Sequence, residues 1–155
     1  MMKSSKCLRL RMIRPVFEEI AINEEMAKYL NGNSIKNSRD IYELFSYLSK
    51  ETKEHFIAIH LDTKNKIICV DTVSIGSLVS SIVHPREVFK SVLLSSAASI
   101  AVVHNHPSGT PEPSQDDIQI TKRLKEAGNF LGIPVIDHII IGDGCYISLF
   151  EKGYL

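Results

Sequence analysis

The apolar positions in the middle of the chain follow a helical period first and a strand period afterwards. Residues 39 to 50 repeat apolar side chains every three to four positions, which predicts a helix capped by Ser38. Its inward residues would be Ile41, Leu44, Phe45 and Leu48. An apolar run at 56 to 62, the polar turn KNK at 64 to 66 and a second run at 67 to 76 predict a hairpin behind this helix.

A helical pattern followed by a strand pattern occurs again between residues 85 and 103. Residues 85 to 98 predict a helix with Pro85 in its first turn. Its inward residues would be Val88, Val92, Leu93 and Ala97. Ala101 to Val103 then form a short apolar run, which predicts a buried strand.

The last part of the chain predicts one helix and a second hairpin. A helix is expected from the cap Ser114 to about Phe130, ended by Gly128 or Gly132. Its inward residues would be Ile120, Leu124, Ala127 and Leu131. The segments IPVIDHIII and CYISLF, on either side of the turn GDG at 142 to 144, predict two further strands.

This order of elements predicts an α/β (α+β) fold, a mixed β-sheet with helices packed on it. Residues 38 to 155 should form the compact domain. Residues 1 to 37 are expected to be a basic arm and linker, with a possible short helix at Glu24 to Leu30. A chain of 155 residues is long enough to bury one substantial core.

Charge argues against a role as a strong nucleic-acid binder. Lys plus Arg and Asp plus Glu both number 18, so the basic excess typical of such proteins is missing. Basic residues do gather in the first fourteen positions, which predicts a solvated tail with at most weak, sequence-independent contact to nucleic acid. These residues are Lys3, Lys6, Arg9, Arg11 and Arg14.

The sequence also predicts a cytoplasmic protein. The apolar residues near the start never form the continuous core of a signal peptide, and no stretch reaches transmembrane length, so no membrane partner is expected. Three widely separated cysteines, Cys7, Cys69 and Cys145, show no paired spacing and indicate free thiols in a reducing compartment.

Candidate chemistry is concentrated in residues 101 to 117, AVVHNHPSGTPEPSQDD. Because side chains two apart on a strand share a face, His104 and His106 should point the same way and Asn105 the opposite way. The Pro/Gly loop returns the chain to Ser114, and helical side chains lean towards the N-terminus, so Asp117 can point back to the histidines. Two imidazoles and one carboxylate fit a single zinc ion with a fourth position left for water.

The same residues carry a resemblance to a known family. HNHPSGTPEPSQDD resembles the His-x-His-Pro-x6-Ser-x-x-Asp signature of the JAMM (JAB/MPN) metalloproteases, and most closely the bacterial RadC branch. Further similarities to RadC proteins are HPREVF at 84 to 89, TKRLKEA at 121 to 127 and DHIIIG at 137 to 142. The resemblance covers about residues 38 to 155 and implies the JAB/MPN (cytidine-deaminase-like) architecture. The helical, DNA-repair-like segment that usually precedes this domain is not found in the sequence.

Carried over position by position, the resemblance implies that His104, His106 and Asp117 bind the zinc and that Ser114 supports the reacting oxyanion. A zinc-activated water also needs a general base that is not itself a ligand. The family takes this base from a glutamate at the head of the first strand. Glu43, Glu51 and Glu54 are the candidates; Glu54, immediately before the strand, is preferred, and Glu51 comes second.

The resulting interpretation is a zinc-dependent hydrolase that cuts peptide or isopeptide bonds in a peptide or protein substrate. One alternative is a DNA-repair accessory protein of RadC type. Another is a non-catalytic module that binds protein tails. The sequence leaves the oligomeric state undetermined.

Four further polar residues are not expected to bind the metal directly. His138, within an apolar strand, is expected to be a hydrogen-bonded core group and not a ligand. Asp116 should face solvent, one step round the helix from Asp117. Asn105 and Ser108 are candidates for hydrogen bonds to the ligand side chains.

Overall fold

The structure is a computed structural model that describes residues 12, 16–19, 34–76 and 83–155. Most of the basic arm, Cys7 and the possible helix at Glu24 to Leu30 lie outside the described residues, so the expectations for them stay predictions. Among the described residues, no helix combines the length and the apolar character that crossing a membrane requires.

Five strands form one mixed sheet in the order β2-β1-β3-β4-β5. The pairs β1–β2, β1–β3 and β4–β5 are antiparallel, whereas β3 and β4 run parallel. The predicted mixed sheet is therefore confirmed. The strands are β1 Glu54–Leu61, β2 Ile67–Gly76, β3 Ser99–Asn105, β4 Val135–Ile141 and β5 Tyr146–Ser148.

Helices cover both faces of this sheet. The α-helices are α1 Ser38–Phe45, α2 Pro85–Leu94 and α3 Gln115–Leu131, and a 3₁₀ helix, Ser46–Lys50, continues α1. Side chains of α1 pack with one set of alternate residues of the central strands, such as Ile57 and Val103. Side chains of α2 and α3 pack with the other set, such as Ala58 and Val102. The central strands are consequently buried on both faces, which explains their long apolar runs.

Two predicted helix starts had different outcomes. The prediction that Ser38 caps α1 is wrong: the Asn37 side chain accepts a hydrogen bond from the Asp40 N–H, and Ser38 is the first helical residue. The Ser38 hydroxyl instead donates to the buried carboxylate of Asp137, a longer-range contact that local sequence does not reveal. Pro85 stands at the start of α2, as predicted.

Two helices end elsewhere than the sequence predicts. Helix α2 ends at Leu94, four residues before the predicted end, and Leu93 is 54% exposed, so its inward assignment is wrong. Helix α3 ends at the left-handed Gly132, which removes Gly128 as its terminator. The predicted inward residue Leu131 lies at this end and is 40% exposed.

Candidate metal centre

The two histidines of the motif lie where β3 ends. Ile100, Val102 and His104 occupy alternate positions of the buried strand, so the His104 ring faces α3. His106 follows the last strand residue, and its N–H donates to the Ile141 carbonyl of the neighbouring β4. The Nε2 atoms of His104 and His106 lie 3.0 Å apart. The predicted convergence of the two rings is therefore present.

The start of α3 brings a carboxylate to the same point. The Ser114 side chain caps the helix by accepting from the Asp117 N–H, and the Asp117 side chain accepts from the Ser114 N–H at 2.7 Å. This reciprocal pair holds the fully buried Asp117 carboxylate beside the rings. Its Oδ1 lies 3.2 Å from His104 Nε2, and its Oδ2 lies 3.4 Å from His106 Nε2.

Glu54 reaches this cluster from the adjacent strand. Strands β1 and β3 pair with Phe56 opposite His104, which places the first residue of β1 beside the end of β3. Glu54 Oε1 lies 3.8 Å from His104 Nε2, and the side chain is 14% exposed. One ligand atom from each of Glu54, His104, His106 and Asp117 lies within 4.8 Å of the other three, so the four side chains could hold a metal ion.

Asn105 fixes the backbone on both sides of Glu54. Its Oδ1 accepts from the His55 N–H at 2.8 Å, and its amide group donates to the Lys53 carbonyl at 3.0 Å. Asn105 faces away from His104 and His106, as predicted, but it supports Glu54 and not a predicted zinc ligand. The pairing of β1 with β3 is what makes this contact possible.

The atoms that meet at the centre are acceptors. His106 Nδ1 lies 2.8 Å from the Thr110 carbonyl, which can only accept, so Nδ1 carries the ring proton and the neutral ring turns a lone pair at Nε2 to the centre. Asp117 Oδ1 is buried and receives no hydrogen bond from any described group. Such a set of lone pairs requires a cation for compensation, either a proton or a metal ion.

The spacing of these acceptors suits zinc. Ligand atoms bound at about 2.0–2.1 Å around a tetrahedral ion lie about 3.3–3.4 Å from one another. The contacts among His104, His106 and Asp117 are 3.0, 3.2 and 3.4 Å. Nitrogen and carboxylate ligands in this number are also the set that zinc uses in catalytic sites.

Electrostatics favour an ionised carboxylate between the rings. Burial raises the pKa of the Asp117 carboxyl, but the adjacent imidazoles and the Ser114 hydroxyl outweigh burial and hold that pKa well below its usual range. The Asp117 carboxylate in turn raises the pKa of the His106 imidazole above its ordinary value, mainly by hydrogen bonding. The carboxylate and the His106 ring thus stabilise each other's charged forms.

A second pair of side chains supports His104 from behind. His104 Nδ1 lies 2.8 Å from His138 Nε2, and His138 Nδ1 lies 2.6 Å from the Thr121 hydroxyl. His138 is fully buried, and burial lowers the pKa of its imidazole well below the usual value, so the ring is neutral. The prediction that His138 is a hydrogen-bonded core group is confirmed. Its partner Thr121 was missed, because nothing in the local pattern of α3 distinguishes it from other inward residues.

The loop between His106 and α3 rests on the turn after β4. The Asp143 N–H donates to the Gly109 carbonyl at 2.8 Å. A Cβ atom added at Gly142 would lie 2.4 Å from that carbonyl oxygen and 2.7 Å from Pro111 Cδ, so only glycine permits this approach. The turn thus holds the loop whose Thr110 carbonyl orients His106.

The other candidates lie away from the centre or face it differently. Glu43 pairs with Arg39 on α1, and Glu51 is exposed at the end of the 3₁₀ helix, so Glu54 is the one candidate base in the cluster. Asp116 is exposed, as predicted. The Ser114 hydroxyl donates to Asp117 Oδ2 at 2.6 Å, so its role towards an oxyanion, which would require a different hydrogen bond, stays a prediction.

Comparison with known proteins agrees with this architecture. Residues 35–154 match the family described as "RadC-like JAB domain". The chain is similar to a UPF0758 protein of Methanococcoides burtonii, with 48% identity over 97% of this chain and 69% of the relative. It is 58% identical to the UPF0758 protein TTE0897 of Caldanaerobacter subterraneus subsp. tengcongensis over 78% of this chain and 52% of the relative.

These relatives are mostly longer proteins. A UPF0758 protein of Methanosarcina mazei is 54% identical over 78% of this chain and 53% of its own length. The chain thus spans about half the length of most of the curated relatives considered, and their names state no activity. The family match extends over nearly all of the compact domain and includes every residue of the metal cluster. The chain belongs to the RadC family and contains its JAB domain.

Proposed function

We propose that this domain is a zinc-dependent hydrolase that cleaves peptide or isopeptide bonds. The observation that carries the proposal is the division of the cluster into three closely spaced ligands, His104, His106 and Asp117, and one more distant carboxylate, Glu54. A zinc held only for structure normally has four protein ligands. Three ligands leave a position for a reactant, and Glu54 lies beside that position.

A bound zinc supplies a Lewis acid that polarises a carbonyl and lowers the pKa of a water towards about 7. Glu54 accepts the proton of the attacking water and returns it to the leaving nitrogen. Asn105 holds the backbone on both sides of Glu54, which limits the positions that this carboxylate can take. Ser114 is assigned to the oxyanion, for which its hydroxyl must turn away from Asp117.

Glu54 and Asp117 differ in their access to solvent. With 14% of its side chain exposed, Glu54 is the more accessible of the two carboxylates, which suits a group that takes up and releases a proton. The buried Asp117 has no such access and is committed to its ligand position. The two carboxylates are thus suited to different roles in one site.

The decisive experiment separates a hydrolase from a metal-bearing binding module. Glu54→Gln keeps the size of the side chain but cannot take a proton, so zinc content and melting temperature should stay near wild type. Cleavage of a mixed peptide and isopeptide library, followed by mass spectrometry, should fall by at least about 100-fold, the lower range of general acid-base catalysis. Glu51→Gln is the matched control, because Glu51 is exposed and outside the cluster.

Three results would contradict the proposal in whole or in part. An unchanged zinc-dependent cleavage in Glu54→Gln would show that the base is another group. A wild-type protein that holds zinc but cleaves no member of the library would favour the binding module. Nanomolar binding of DNA at physiological salt would instead favour the accessory role in DNA repair, which no described contact supports.

A further inference from the structure

The hydrogen bonds behind His104 form a chain that begins and ends at the two ligands. The Thr121 hydroxyl lies 2.6 Å from the backbone carbonyl of Asp117, one turn earlier in α3. The same hydroxyl meets His138, and His138 meets His104. His104 Nε2 in turn lies 3.2 Å from the Asp117 carboxylate, so the chain starts and finishes at the same residue.

The direction of each hydrogen bond in this chain follows from the Asp117 carbonyl. A carbonyl oxygen can only accept, so the Thr121 hydroxyl uses its single proton to donate a hydrogen bond to the Asp117 carbonyl and must accept from His138 Nδ1. A neutral imidazole with a proton at Nδ1 has a lone pair at Nε2. His138 Nε2 therefore accepts from His104 Nδ1, and the His104 lone pair is left at Nε2, facing the centre.

We infer that Thr121 and His138 are positioning residues that set the tautomer of His104 so that its Nε2 is available to a metal ion. The inference rests on the proposed metal site and adds to it two residues that bind no metal themselves. The backbone carbonyl of Asp117 fixes the direction of every hydrogen bond in the chain. One proposed ligand, Asp117, thus determines the tautomer of another, His104, through the side chains of Thr121 and His138.

The opposite order of the same contacts would close the site to metal. If Thr121 donated to His138 Nδ1, then His138 would donate from Nε2 to His104, and His104 would carry its proton at Nε2. That proton would point at Asp117 Oδ1, 3.2 Å away. The i to i−4 hydrogen bond from Thr121 to the Asp117 carbonyl prevents this order, since a hydroxyl has a single proton to give.

The packing keeps the three rings in this arrangement. The Phe56 ring stacks on His104 with ring centroids 5.8 Å apart and meets His138 edge-on at 5.5 Å. His104, His138 and Thr121 are all 0% exposed, so water cannot replace any of their hydrogen bonds. The ring nitrogens consequently depend on one another and on Thr121 for their protons.

The test is nuclear magnetic resonance of the histidine ring nitrogens in the full chain, with and without zinc. Two-bond proton–nitrogen spectra distinguish a protonated from an unprotonated ring nitrogen. The zinc-free wild type should already show a proton at Nδ1 of both His138 and His104. A proton at Nε2 of His138 in that spectrum would overturn the inference.

Thr121→Val tests the origin of the order, because it keeps the volume of the side chain and removes the hydroxyl. In the zinc-free protein His138 should then populate both tautomers. Zinc affinity, measured by competition with a chelator, should fall by up to about 10-fold, the lower end of the effect of removing a partner of a metal-binding histidine, because Thr121 acts through His138. Thr121→Ser keeps a hydroxyl and should restore both properties. Unchanged tautomers and affinity in Thr121→Val would contradict the inference.

A neighbouring variant separates positioning from general packing. Ile120→Val removes a methyl group from the adjacent residue of the same helix and touches no hydrogen bond, so it should leave the ring spectra and zinc affinity unchanged. The zinc-free spectra keep this test separate from the proposed function. A protein that binds no zinc would refute the proposed hydrolase function. The positioning role of Thr121 would still be tested by whether Thr121→Val changes the tautomer of His138.

Discussion

Two buried carboxylates lie on opposite faces of the same sheet, and their surroundings differ in kind. Asp137 projects from β4 towards α1, and Asp117 lies at the start of α3 on the other face. They are 5% and 0% exposed, so neither is hydrated to any extent. Burial alone therefore does not tell which of them serves structure and which serves chemistry.

Asp137 is saturated with donors. The hydroxyl groups of Ser38 and Ser148 and the backbone N–H groups of His138 and Phe150 all donate to its two oxygens. These donors belong to α1, β4, β5 and the segment after β5, so the carboxylate joins several elements. A buried charge compensated in this way is a structural group.

Asp117 receives far less from its own chain. Ser114 donates to Oδ2 through both its N–H and its hydroxyl, whereas Oδ1 faces His104 Nε2 without a hydrogen bond from the described residues. Both oxygens of Asp137 receive hydrogen bonds, whereas Oδ1 of Asp117 receives none from the described residues. The difference indicates that a cation completes the site around Asp117, and it gives a criterion for distinguishing a ligand from a structural carboxylate.

The largest expected effect is on metal binding when Asp117 loses its charge. Asp117→Asn removes one of three ligands, so zinc affinity should fall by more than about 100-fold, the upper range for residues that only support a ligand. Isothermal titration with a competing chelator measures the change. Asp116→Asn, the same substitution one residue earlier on the exposed side of α3, should have no effect. Equal losses in both variants would indicate a general effect of charge.

The same substitution at Asp137 should lower stability and leave zinc binding unchanged. Asp137→Asn leaves at least one of four donor groups facing an amide that cannot accept as the carboxylate does, and hydrogen bonds to a buried charge contribute about 1.5–3 kcal/mol each. The free energy of unfolding, from urea denaturation of the zinc-free protein, should fall by about 2–3 kcal/mol. Zinc stoichiometry should remain that of wild type. A variant that folds normally but loses zinc would reverse the assignment of the two carboxylates.

The loop that orients His106 offers a smaller perturbation of the metal face. Gly142→Ala forces its Cβ against the Gly109 carbonyl, and overpacking of this kind costs about 1–3 kcal/mol. Zinc affinity should fall with the stability, because the displaced loop carries the acceptor of His106 Nδ1. Gly144→Ala is the control: its φ of 66° makes alanine strained, but no atom lies near the added Cβ. It should lower stability and leave zinc affinity unchanged.

Acidity should weaken the metal site gradually. Zinc must displace the proton that Asp117 stabilises on His106, whose pKa lies above the ordinary value of about 6.5. Zinc affinity should therefore be constant above that raised pKa and fall about tenfold for each pH unit below it. In the zinc-free protein the sign is opposite: the proton on His106 stabilises the fold at low pH, and this contribution is lost as pH rises through the raised pKa. An affinity independent of pH between 5 and 8 would exclude His106 as a ligand.

The sequence predicted the local part of the site and not its long-range part. His104, His106 and Asp117 lie within fourteen residues, so strand alternation and helix capping were enough to bring them together. Glu54 is fifty residues away from His104, and its position depends on the register of β1 against β3, which only the family resemblance anticipated. The same limit applies to Thr121, whose partner His138 arrives from β4.

Errors in the predicted elements have the same physical origin. The residue type of Ser38 suits a helix cap, but its hydroxyl donates to Asp137, ninety-nine residues later. Apolar residues continue beyond the end of α2 at Leu94, and this pattern predicts a helix as far as residue 98. Ala97 is indeed buried, but it lies beyond a turn in which Ser96 adopts a φ of 56°. Periodicity detects burial, and burial does not require that the helix continue.

Elemental analysis of the purified full chain tests the central claim most directly. Protein prepared without chelators and then equilibrated with zinc should hold one zinc per chain, and Asp137→Asn should hold the same amount. His104→Ala, which removes a ligand from the centre of the cluster, should hold none. A wild type that takes up no metal, or a His104→Ala variant that keeps its zinc, would contradict the assignment of this cluster as a metal site.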